Sequence, residues 1–441
     1  MRIHLPAHDP SLAGWQAEAP APPLCAQCAT SYPLQFVIVK RAVPVVMLVS
    51  CAHAVGIPMT LVSDSEAEAM HSAIVRKEAW TLDSVRHLRT DAERHVKEGP
   101  WSVTTERPPG IAMDIHDYYS EAPYWWPQDG DPNAPYVRRD GQTNPNRFVA
   151  NKNALAGMSD AVFTLGTAAY LLNEPRYAQR AARDISAWFI NPKSRMNPHM
   201  DHSQAIRHFN NGRGAGSVDG RAFIRAIQGM EFLAQTGNWD SKEQAAVKKW
   251  FRDYLHWLTT SDNANHDKRA GNNHASWWIA QVAAIATFVE DDAQQKAAFN
   301  YYRDHVFPHQ IKADGSAPHE EARTRGLWYS AFNLEALTTT CRIAQIRGVD
   351  LWSTRAKGGA TLATVVEYLE PYLTDPKAWT KEQITDFSND GLYFLAYAGI
   401  GMKKPEYIAL YRKLERPENA WLGLTDLIVG RYEASGHQTR H

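Results

Sequence analysis

The sequence is organised around one stretch, Ala270-Gly271-Asn272-Asn273-His274-Ala275-Ser276-Trp277-Trp278. It follows a charged loop, residues 265–269, and leads directly into an apolar helical pattern that continues to Phe288. A polar loop at a helix start is a position where a scaffold exposes reactive groups. Side-chain amides can hydrogen-bond a carboxylate, while a neighbouring imidazole moves or positions a proton. The alternative interpretation is a helix N-cap, for which Asn is preferred, followed by packing residues.

A second stretch, residues 318–330, also precedes an apolar helical pattern and contains Arg323 and Tyr329. A glycine lies between these two residues, so a turn would aim both side chains into one cleft. Arginine grips carboxylates through a bidentate fork. A tyrosine can exchange a proton if nearby positive charge lowers its pKa, which is about 10 when unperturbed. The structural alternatives are an ion pair of Arg323 with Glu320 or Glu321, and a core position for Tyr329.

Composition limits the classes of protein to which this chain can belong. The 441 residues are 44% hydrophobic and 22% charged, with a net charge of −1, which is typical of a globular chain of one to three domains. This balance argues against nucleic acid or an anionic membrane as a partner. The 15 Trp and 18 Tyr are compatible with a large core, but aromatic faces also stack on sugar rings and line ligand clefts.

Metal and cofactor chemistry has little support in the sequence. No cluster of His, Asp and Glu has convincing ligand spacing, so no metal or cofactor is expected. Cys25 and Cys28 form a single Cys-x-x-Cys without a second pair, which supports zinc or redox chemistry only weakly. Cys341 lies on an apolar helical pattern and is predicted to be a core residue.

The N-terminal part, residues 1–63, is predicted to be a disordered extension that carries a signal-like apolar segment. Lys40-Arg41, the apolar run 42–51 and Ala52-His53-Ala54 resemble a secretory signal with its cleavage site. Cys51 ends a stretch that resembles a lipoprotein box, which would make it a lipid anchor. The run is too short for a stable membrane span. We therefore expect a periplasmic or secreted protein; the alternative is an apolar segment packed on the domain.

Residues 64–435 are predicted to form one helical domain. Residues 99–150 have little periodicity but many aromatic residues, so we expect a long loop region pinned to a surface. From Asn151 onward, helical patterns follow one another, without βαβ alternation or a series of hairpins. The predicted fold class is all-α, an (α/α) toroid or incomplete barrel of helical hairpins with a long aromatic loop region.

Together these motifs resemble the alginate-lyase superfamily of polysaccharide lyases. Residues 272–277 resemble its Asn-Asn-His-x-x-Trp signature, and residues 323–337 are similar to its Arg/Tyr helix signature. Residues 116–127 and 138–145 resemble its aromatic loop. Polysaccharide lyase family 38, whose members cleave alginate or glucuronan, is the group that the motifs resemble in particular. The resemblance implies a toroid with a tunnel or groove and an acidic polysaccharide as partner; it leaves the oligomeric state open.

The resemblance also implies roles for individual residues. Asn273 and Arg323 would neutralise a uronate carboxylate, and His274 and Tyr329 would handle protons. The residues assigned to substrate contact offer an aromatic face, an amide or a positive charge: Tyr124, Trp125, Trp126, Arg138, Arg139, Gln204, His208, Arg213, Asn272 and Trp277. An ion pair of Arg139 with Asp140 and a core position for Trp278 are equally compatible with the sequence.

This residue set suits β-elimination of a 1,4-linked uronic acid. Neutralising the carboxylate stabilises the charge that develops when the C5 proton leaves. A base removes that proton and an acid protonates the O4 leaving group. In mannuronate and glucuronate both groups lie on one face, so Tyr329 could serve as base and acid, with His274 keeping it poised. In guluronate they lie on opposite faces, which favours His274 as base and Tyr329 as acid; the sequence leaves both open.

Two rival functions follow from the same sequence. A glycoside hydrolase on a similar toroid would need two carboxylates about 5–10 Å apart. Its candidate acids are Asp201, Asp219, Glu320 and Glu321. A non-catalytic uronan-binding protein is the other rival. The lyase is preferred because the strongest motifs carry amide, imidazole, guanidinium and phenol groups rather than paired acids.

Overall fold

A computed structural model describes residues 59–108, 110–388 and 391–436, and the described chain is mostly helical. In chain order the helices are α1 (Asp64–Val75), α2 (Leu82–His95), α3 (Ala150–Leu171), α4 (Pro175–Ile185), α5 (Ala222–Gln235), α6 (Ser241–Thr260), α7 (Asp262–Lys268), α8 (Asn273–Phe288), α9 (Asp292–Tyr301), α10 (Phe307–Gln310), α11 (Pro318–Glu321), α12 (Gly326–Ile346), α13 (Leu362–Thr374), α14 (Tyr393–Met402), α15 (Pro405–Lys413) and α16 (Ala420–Ala434). The strands are β1 (Tyr119–Glu121), β2 (Trp125–Pro127), β3 (Tyr136–Arg138) and β4 (His202–Ala205). Short 3₁₀ or π-helical turns lie at Ala79–Thr81, Gln128–Gly130, Ser186–Ile190, Gly214–Arg221, Tyr302–Val306 and Pro376–Ala378.

The long helices form a ring of two layers. In the inner layer α3, α5, α8, α12 and α14 contact one another in turn, and α16 contacts both α14 and α3. Around them, α4 packs on α3, α6 and α9 pack on α8, and α15 packs on α14. The inner helices α8 and α12 are buried over most of their length, which explains why their sequences are apolar on nearly every face. This arrangement is the (α/α) toroid that the sequence predicts.

The start of α8 is set by its own sequence. The Asn272 side chain accepts a hydrogen bond from the backbone N–H of His274 at 3.1 Å, which is the geometry of an N-cap. The cap interpretation of Asn272 is therefore correct, and its assignment to substrate contact has no support from this geometry. With the cap at 272, Asn273 and His274 occupy the first turn of α8, where backbone N–H groups lack helical partners.

The aromatic loop region is pinned to the ring, as expected. Tyr118 and Tyr119 are fully buried, and the Tyr118 hydroxyl donates to Asp219 at 3.0 Å. β1 pairs in parallel with β4, and β2 pairs antiparallel with β3. The sequence did not indicate these strands, because such short pairs are stabilised by tertiary contacts rather than by a repeating pattern.

The N-terminal boundary needs a correction. Thr60, Leu61 and Val62 are buried, so the folded domain includes residues that the sequence assigned to the extension. Gln228 of α5 accepts a hydrogen bond from the Leu61 N–H at 2.8 Å, and Arg342 of α12 donates to the Leu61 carbonyl at 3.0 Å. Such a segment has no periodicity of its own, since distant side chains satisfy its backbone.

Several sequence predictions concern residues outside the described ranges. The signal-like segment, Cys25, Cys28 and the proposed anchor Cys51 all lie there. Cys341 is fully buried, which confirms its core position. Among the described helices, none combines the length and apolar character needed to span a membrane.

One buried acid holds the N-terminal segment against α5. The Glu231 carboxyl accepts hydrogen bonds from the Thr60 N–H at 2.8 Å and from the Thr60 hydroxyl. Glu231 is completely buried, and burial raises its pKa from 4.5 to about 8. The folded protein therefore retains a proton on Glu231 that the unfolded chain has already lost at neutral pH.

The stability of the fold should accordingly fall as the pH rises from about 5 to about 8, because the unfolded state binds fewer protons over this range. Glu231→Gln keeps an acceptor for Thr60 but cannot ionise. We expect this variant to melt near the wild-type temperature at pH 5 and several degrees higher at pH 8, as followed by circular dichroism. A melting difference that does not change with pH would contradict this role of Glu231.

Candidate active site

The two sequence stretches meet where the first turns of α8 and α12 lie side by side. Gln310 joins them, since its side-chain oxygen accepts from the Ser276 hydroxyl at 3.0 Å and from the Asn333 amide at 2.9 Å. Its amide nitrogen donates to the Asn272 carbonyl at 3.0 Å. Gln310 thereby ties the start of α8 to the interior of α12.

Glu320 connects the amide of the first stretch to the second stretch. Its two carboxyl oxygens accept the Asn273 side-chain amide at 2.7 Å and the Asn273 backbone N–H. Both residues are almost completely buried. Burial raises the pKa of Glu320 to about 7, against the opposing effects of the Asn273 hydrogen bonds and of the nearby charges of His274 and Arg323. Glu320 therefore lies near all three of these residues.

The phenol of Tyr329 is the centre of the second stretch. Its hydroxyl oxygen accepts a hydrogen bond from Arg323 Nη2 at 2.8 Å and lies 2.6 Å from the hydroxyl of Tyr124. The Arg323 guanidinium carbon also lies 3.8 Å from the centre of the Tyr329 ring. Tyr329 is buried, but its hydroxyl meets a cation and a second phenol rather than apolar core. The geometry thus brings together a guanidinium and two phenols.

The pKa of Tyr329 differs from the expectation. Burial raises the pKa of Tyr329 well above 10, and Tyr124 raises it further, while Arg323 opposes both effects. Arg323 does lower this pKa, but the condition set in the sequence analysis is not met in the free protein, because burial outweighs the guanidinium. Tyr329 is therefore a protonated phenol at neutral pH, with a proton that it can donate.

Arg323 is not the free carboxylate clamp that the sequence suggested. Its Nε lies 3.0 Å from Asp140 Oδ2 and its Nη2 lies 2.7 Å from Asp140 Oδ1, which is a bidentate pair. The alternative pairing with Glu320 or Glu321 is wrong as well. Although burial opposes it, the Arg323 guanidinium holds the pKa of Asp140 well below its usual range. Arg323 thus offers positive charge and a donor to Tyr329, with one edge already occupied.

His274 is backed by an acid that the sequence did not identify. Its Nδ1 lies 3.1 Å from Asp267 Oδ1. Asp267 is buried and also accepts the Ser217 hydroxyl. Burial raises the pKa of this carboxyl, but His274, His266 and Ser217 together hold it below its usual value. A carboxylate beside Nδ1 leaves Nε2 as the nitrogen available to a ligand.

Asp267 belongs to α7, so the segment that the sequence analysis describes as a charged loop is helical as far as Lys268. From the sequence alone, a functional Asp in such a segment cannot be distinguished from a solvent-exposed Asp on the surface of a helix. The one available signal was Ser261, which caps α7 through its hydroxyl and thereby marks a helix ending just before the Asn-Asn-His stretch.

Buried Gln204 and half-buried Arg213 form a pair beside this cluster. Arg213 Nη2 donates to the Gln204 side-chain oxygen at 2.9 Å, and Gln204 in turn donates to Asp219 at 3.3 Å. Burial lowers the pKa of Arg213, and the nearby charges of Arg138 and Arg323 lower it further. Gln204 is therefore a structural link, whereas Arg213 lies among opposing charges, since Asp267 and Asp219 raise its pKa.

The remaining predicted contact residues lie on the β2–β3 ribbon or against it. Trp126 donates from its indole to the Gln142 carbonyl at 2.9 Å, and the Arg139 guanidinium lies 5.1 Å from its ring centre. Asp140 is bound by Arg138 at 2.6 Å, so the pair of Arg139 with Asp140 is wrong. The exposed His208 ring lies 3.0 Å from the carbonyl oxygen of Pro132 in the β2–β3 connection.

Trp125, which follows Tyr124 and is the first residue of β2, is partly buried. Its carbonyl accepts the Asn144 side-chain amide at 3.0 Å. β2 therefore begins next to the Tyr124 phenol of the cluster and carries two half-buried indoles.

A cavity of about 310 Å³ lies inside the ring next to the cluster. Trp277, Trp328 and Phe332 form an aromatic wall, with ring centres of Trp277 and Trp328 at 5.2 Å and 4.9 Å from that of Phe332. Trp277 therefore lines this cavity, whereas Asn273, His274, Arg323 and Tyr329 do not. Trp278 instead donates to the Leu258 carbonyl at 2.9 Å and is a core residue.

The four acids considered for a hydrolase are engaged separately. Their hydrogen-bond partners differ: Trp257 for Asp201, Tyr118 and Ser120 for Asp219, Asn273 for Glu320, and Lys381 for Glu321. Within the described ranges, no group of three or more His, Cys, Asp or Glu residues is arranged to hold a metal ion.

Comparison with known proteins decides the family. The alginate lyase family model matches residues 102–379. The chain belongs to the alginate lyase family. It is accordingly a polysaccharide lyase, and the rival class of glycoside hydrolase is set aside. No curated protein sequence matches the chain.

Solved structures agree with this family assignment. An alginate lyase from Bacteroides ovatus is 30% identical, with a TM-score of 0.78 over 83% of this chain and 98% of that protein. A histidine-to-alanine variant of alginate lyase A1-III, an enzyme of Sphingomonas species A1, was solved with a tetrasaccharide. It is 16% identical, with a TM-score of 0.50 over 75% of this chain and 90% of that protein, and shares the fold.

The contact between Asp267 and His274 predicts a loss of activity on substitution. Asp267→Asn removes the charge that orients the imidazole, and we expect the turnover of a lyase substrate to fall at least about tenfold. Asp262→Asn is the matched control, because Asp262 lies in the first turn of the same helix but is exposed. Initial rates of unsaturated-product formation measure both. Equal losses in the two variants, or none in Asp267→Asn, would contradict the positioning role.

Proposed function

We propose that the protein depolymerises alginate by β-elimination, acting on β-D-mannuronate, with Tyr329 as the residue that exchanges protons with the sugar. The observation that carries this proposal is the environment of the Tyr329 hydroxyl, which is bonded to Arg323 and lies 2.6 Å from the Tyr124 hydroxyl. The alginate lyase from Bacteroides ovatus, 30% identical to this chain, supports alginate as the substrate. Glucuronan, whose C5 hydrogen and O4 have the same relation, is the second candidate polymer.

The first task of the site is to neutralise the sugar carboxylate. Asn273 holds an amide in the first turn of α8, and His274 follows it with Nε2 available. Donors from these groups would stabilise the dianion that develops when the C5 proton leaves. Arg323 would contribute through its charge, since Asp140 occupies the edge that would otherwise form a bidentate clamp. From the sequence, Asn273 and Arg323 are expected to neutralise the carboxylate together. In this proposal the hydrogen bonds come from Asn273 and His274, and Arg323 contributes its charge.

The second task is proton transfer on one face of the sugar. The Arg323 donor stabilises a phenolate at Tyr329. The ionised residue can then take the C5 proton and give it to O4 as the C4–O4 bond breaks. Burial keeps the phenol protonated in the free protein. The active ionised form is therefore a minor species, and we expect activity to rise with pH through the neutral range as its population grows.

The third task is to hold a polyanion. Arg138, Arg139 and Arg213 supply positive charge beside the cluster, and Arg138 is largely exposed. The aromatic wall of the cavity and the aromatic face of β2 offer surfaces on which sugar rings stack. We further propose that the signal-like segment exports the enzyme to the periplasm or the medium, where such polymers occur.

Removing the phenolic hydroxyl tests the assignment most simply. Tyr329→Phe keeps the ring and its packing but removes the proton donor, so we expect turnover to fall by at least about a thousandfold. His274→Ala should reduce turnover about a hundredfold or more through loss of carboxylate neutralisation. The measurement is the increase in ultraviolet absorbance from unsaturated product on mannuronan, guluronan and glucuronan.

Tyr407→Phe is the matched control, since Tyr407 is a buried phenol of α15 bonded to Glu367 outside the site. We expect wild-type rates from this variant. Near-wild-type rates in Tyr329→Phe would remove its catalytic role. A preference for guluronan would instead assign the base to His274, and binding without any product would support the non-catalytic rival.

A further inference from the structure

Glu320 is an almost completely buried acid that bonds to one residue of the site through both of its oxygens. It lies on α11, is 1% exposed, and donors from a single residue, Asn273, occupy both of its oxygens. One of these donors is the side-chain amide that is proposed to meet the substrate. The other is the first backbone N–H of α8, which has no partner within the helix.

We propose that Glu320 is a positioning residue that sets the orientation of the Asn273 amide for carboxylate neutralisation. This inference rests on the proposed function. It adds to the catalytic set a residue that does not touch the substrate and acts only through Asn273.

The physical reason is the chemistry of the amide. An Asn side chain has a broad torsion at its terminal group, so either its oxygen or its nitrogen can face a given neighbour. Both Glu320 oxygens accept from N–H groups of Asn273, so Glu320 selects the amide nitrogen of the side chain over its oxygen. The second hydrogen of that nitrogen then remains for a ligand. Without Glu320, the amide could reverse and present its oxygen, which repels a uronate carboxylate.

Charged groups around Glu320 reduce the cost of placing a buried acid close to an anionic substrate. His274 faces it from α8, and Arg323 faces it from the segment after α11. The Arg323 guanidinium offsets part of the negative charge that Glu320 brings close to an anionic substrate. The two donors of Asn273 supply the hydrogen bonds that a buried carboxylate requires.

Glu321 provides a matched control on the same short helix. It is also buried, but its carboxyl bonds to the Ala317 N–H at 3.2 Å and to Lys381, away from Asn273. Glu321→Gln therefore makes the same chemical change at the neighbouring position. It reports what the loss of a buried carboxylate does to the fold alone.

The experiment is a double-mutant cycle between positions 273 and 320. Gln has one acceptor oxygen, so Glu320→Gln leaves one Asn273 donor facing an amide nitrogen. We expect this variant to lower kcat about tenfold or more on mannuronan, with KM changed less than about twofold. Asn273→Ala should lose more, and the double variant should match Asn273→Ala within about twofold, because Glu320 then has nothing to position. Glu321→Gln should retain wild-type kcat.

Two results would overturn the inference. One is a kcat within about twofold of wild type in Glu320→Gln, and the other is a double variant whose loss is the product of the two single losses. A second readout is independent of activity: the side-chain amide protons of Asn273 in NMR spectra, assigned by their loss in Asn273→Ala. They should shift strongly in Glu320→Gln and stay in place in Glu321→Gln. Unchanged signals in both would overturn the inference, whereas a wild-type protein inactive on every uronan would overturn only the proposed function.

Discussion

The packing of α8 against α12 is the constraint on which the rest of the molecule depends. Each helix begins with polar residues and continues as an almost fully buried apolar rod. Because both rods belong to the inner layer of the ring, burying them brings their polar starts to the same end. Gln310 and Glu320 then satisfy the groups that this packing buries, which prevents an otherwise costly set of unpaired donors. Burial of the apolar residues thus determines where the active-site residues lie, and hydrogen bonds fix the orientation of their side chains.

Competition between burial and pairing explains why neighbouring acids and phenols titrate so differently. Asp140 is held ionised by a bidentate guanidinium, although burial alone would raise its pKa. Glu320 has neutral donors as its direct partners, so burial prevails and its pKa lies near 7. Tyr329 is buried beside a second phenol, and one guanidinium does not offset the loss of solvent. The charge of each group at neutral pH therefore depends more on its ion-pair or hydrogen-bond partner than on its degree of burial.

The fold and the two chemical stretches could be predicted because both depend on local sequence. The helical patterns of α8 and α12 are long, and Asn272 is a cap that can be recognised from its position. The partners of the active residues could not be predicted in the same way. Asp140 lies 183 positions from Arg323, and Glu320 lies 47 positions from Asn273, so only the tertiary structure brings them together. Asp267 was missed for the same reason, despite its proximity in sequence to His274, since its burial depends on the ring.

The central claim is that one uronate carboxylate meets Asn273 while its C5 and O4 face Tyr329. The most direct measurement is a crystal structure of Tyr329→Phe with a bound mannuronate tetrasaccharide. The account predicts a sugar carboxylate within hydrogen-bond distance of the Asn273 amide nitrogen, with C5 and O4 of that sugar over the edge of the ring at position 329. A tetrasaccharide whose carboxylates contact only Arg138 and Arg139 on the β2–β3 ribbon, with Asn273 still bonded to Glu320 alone, would contradict it.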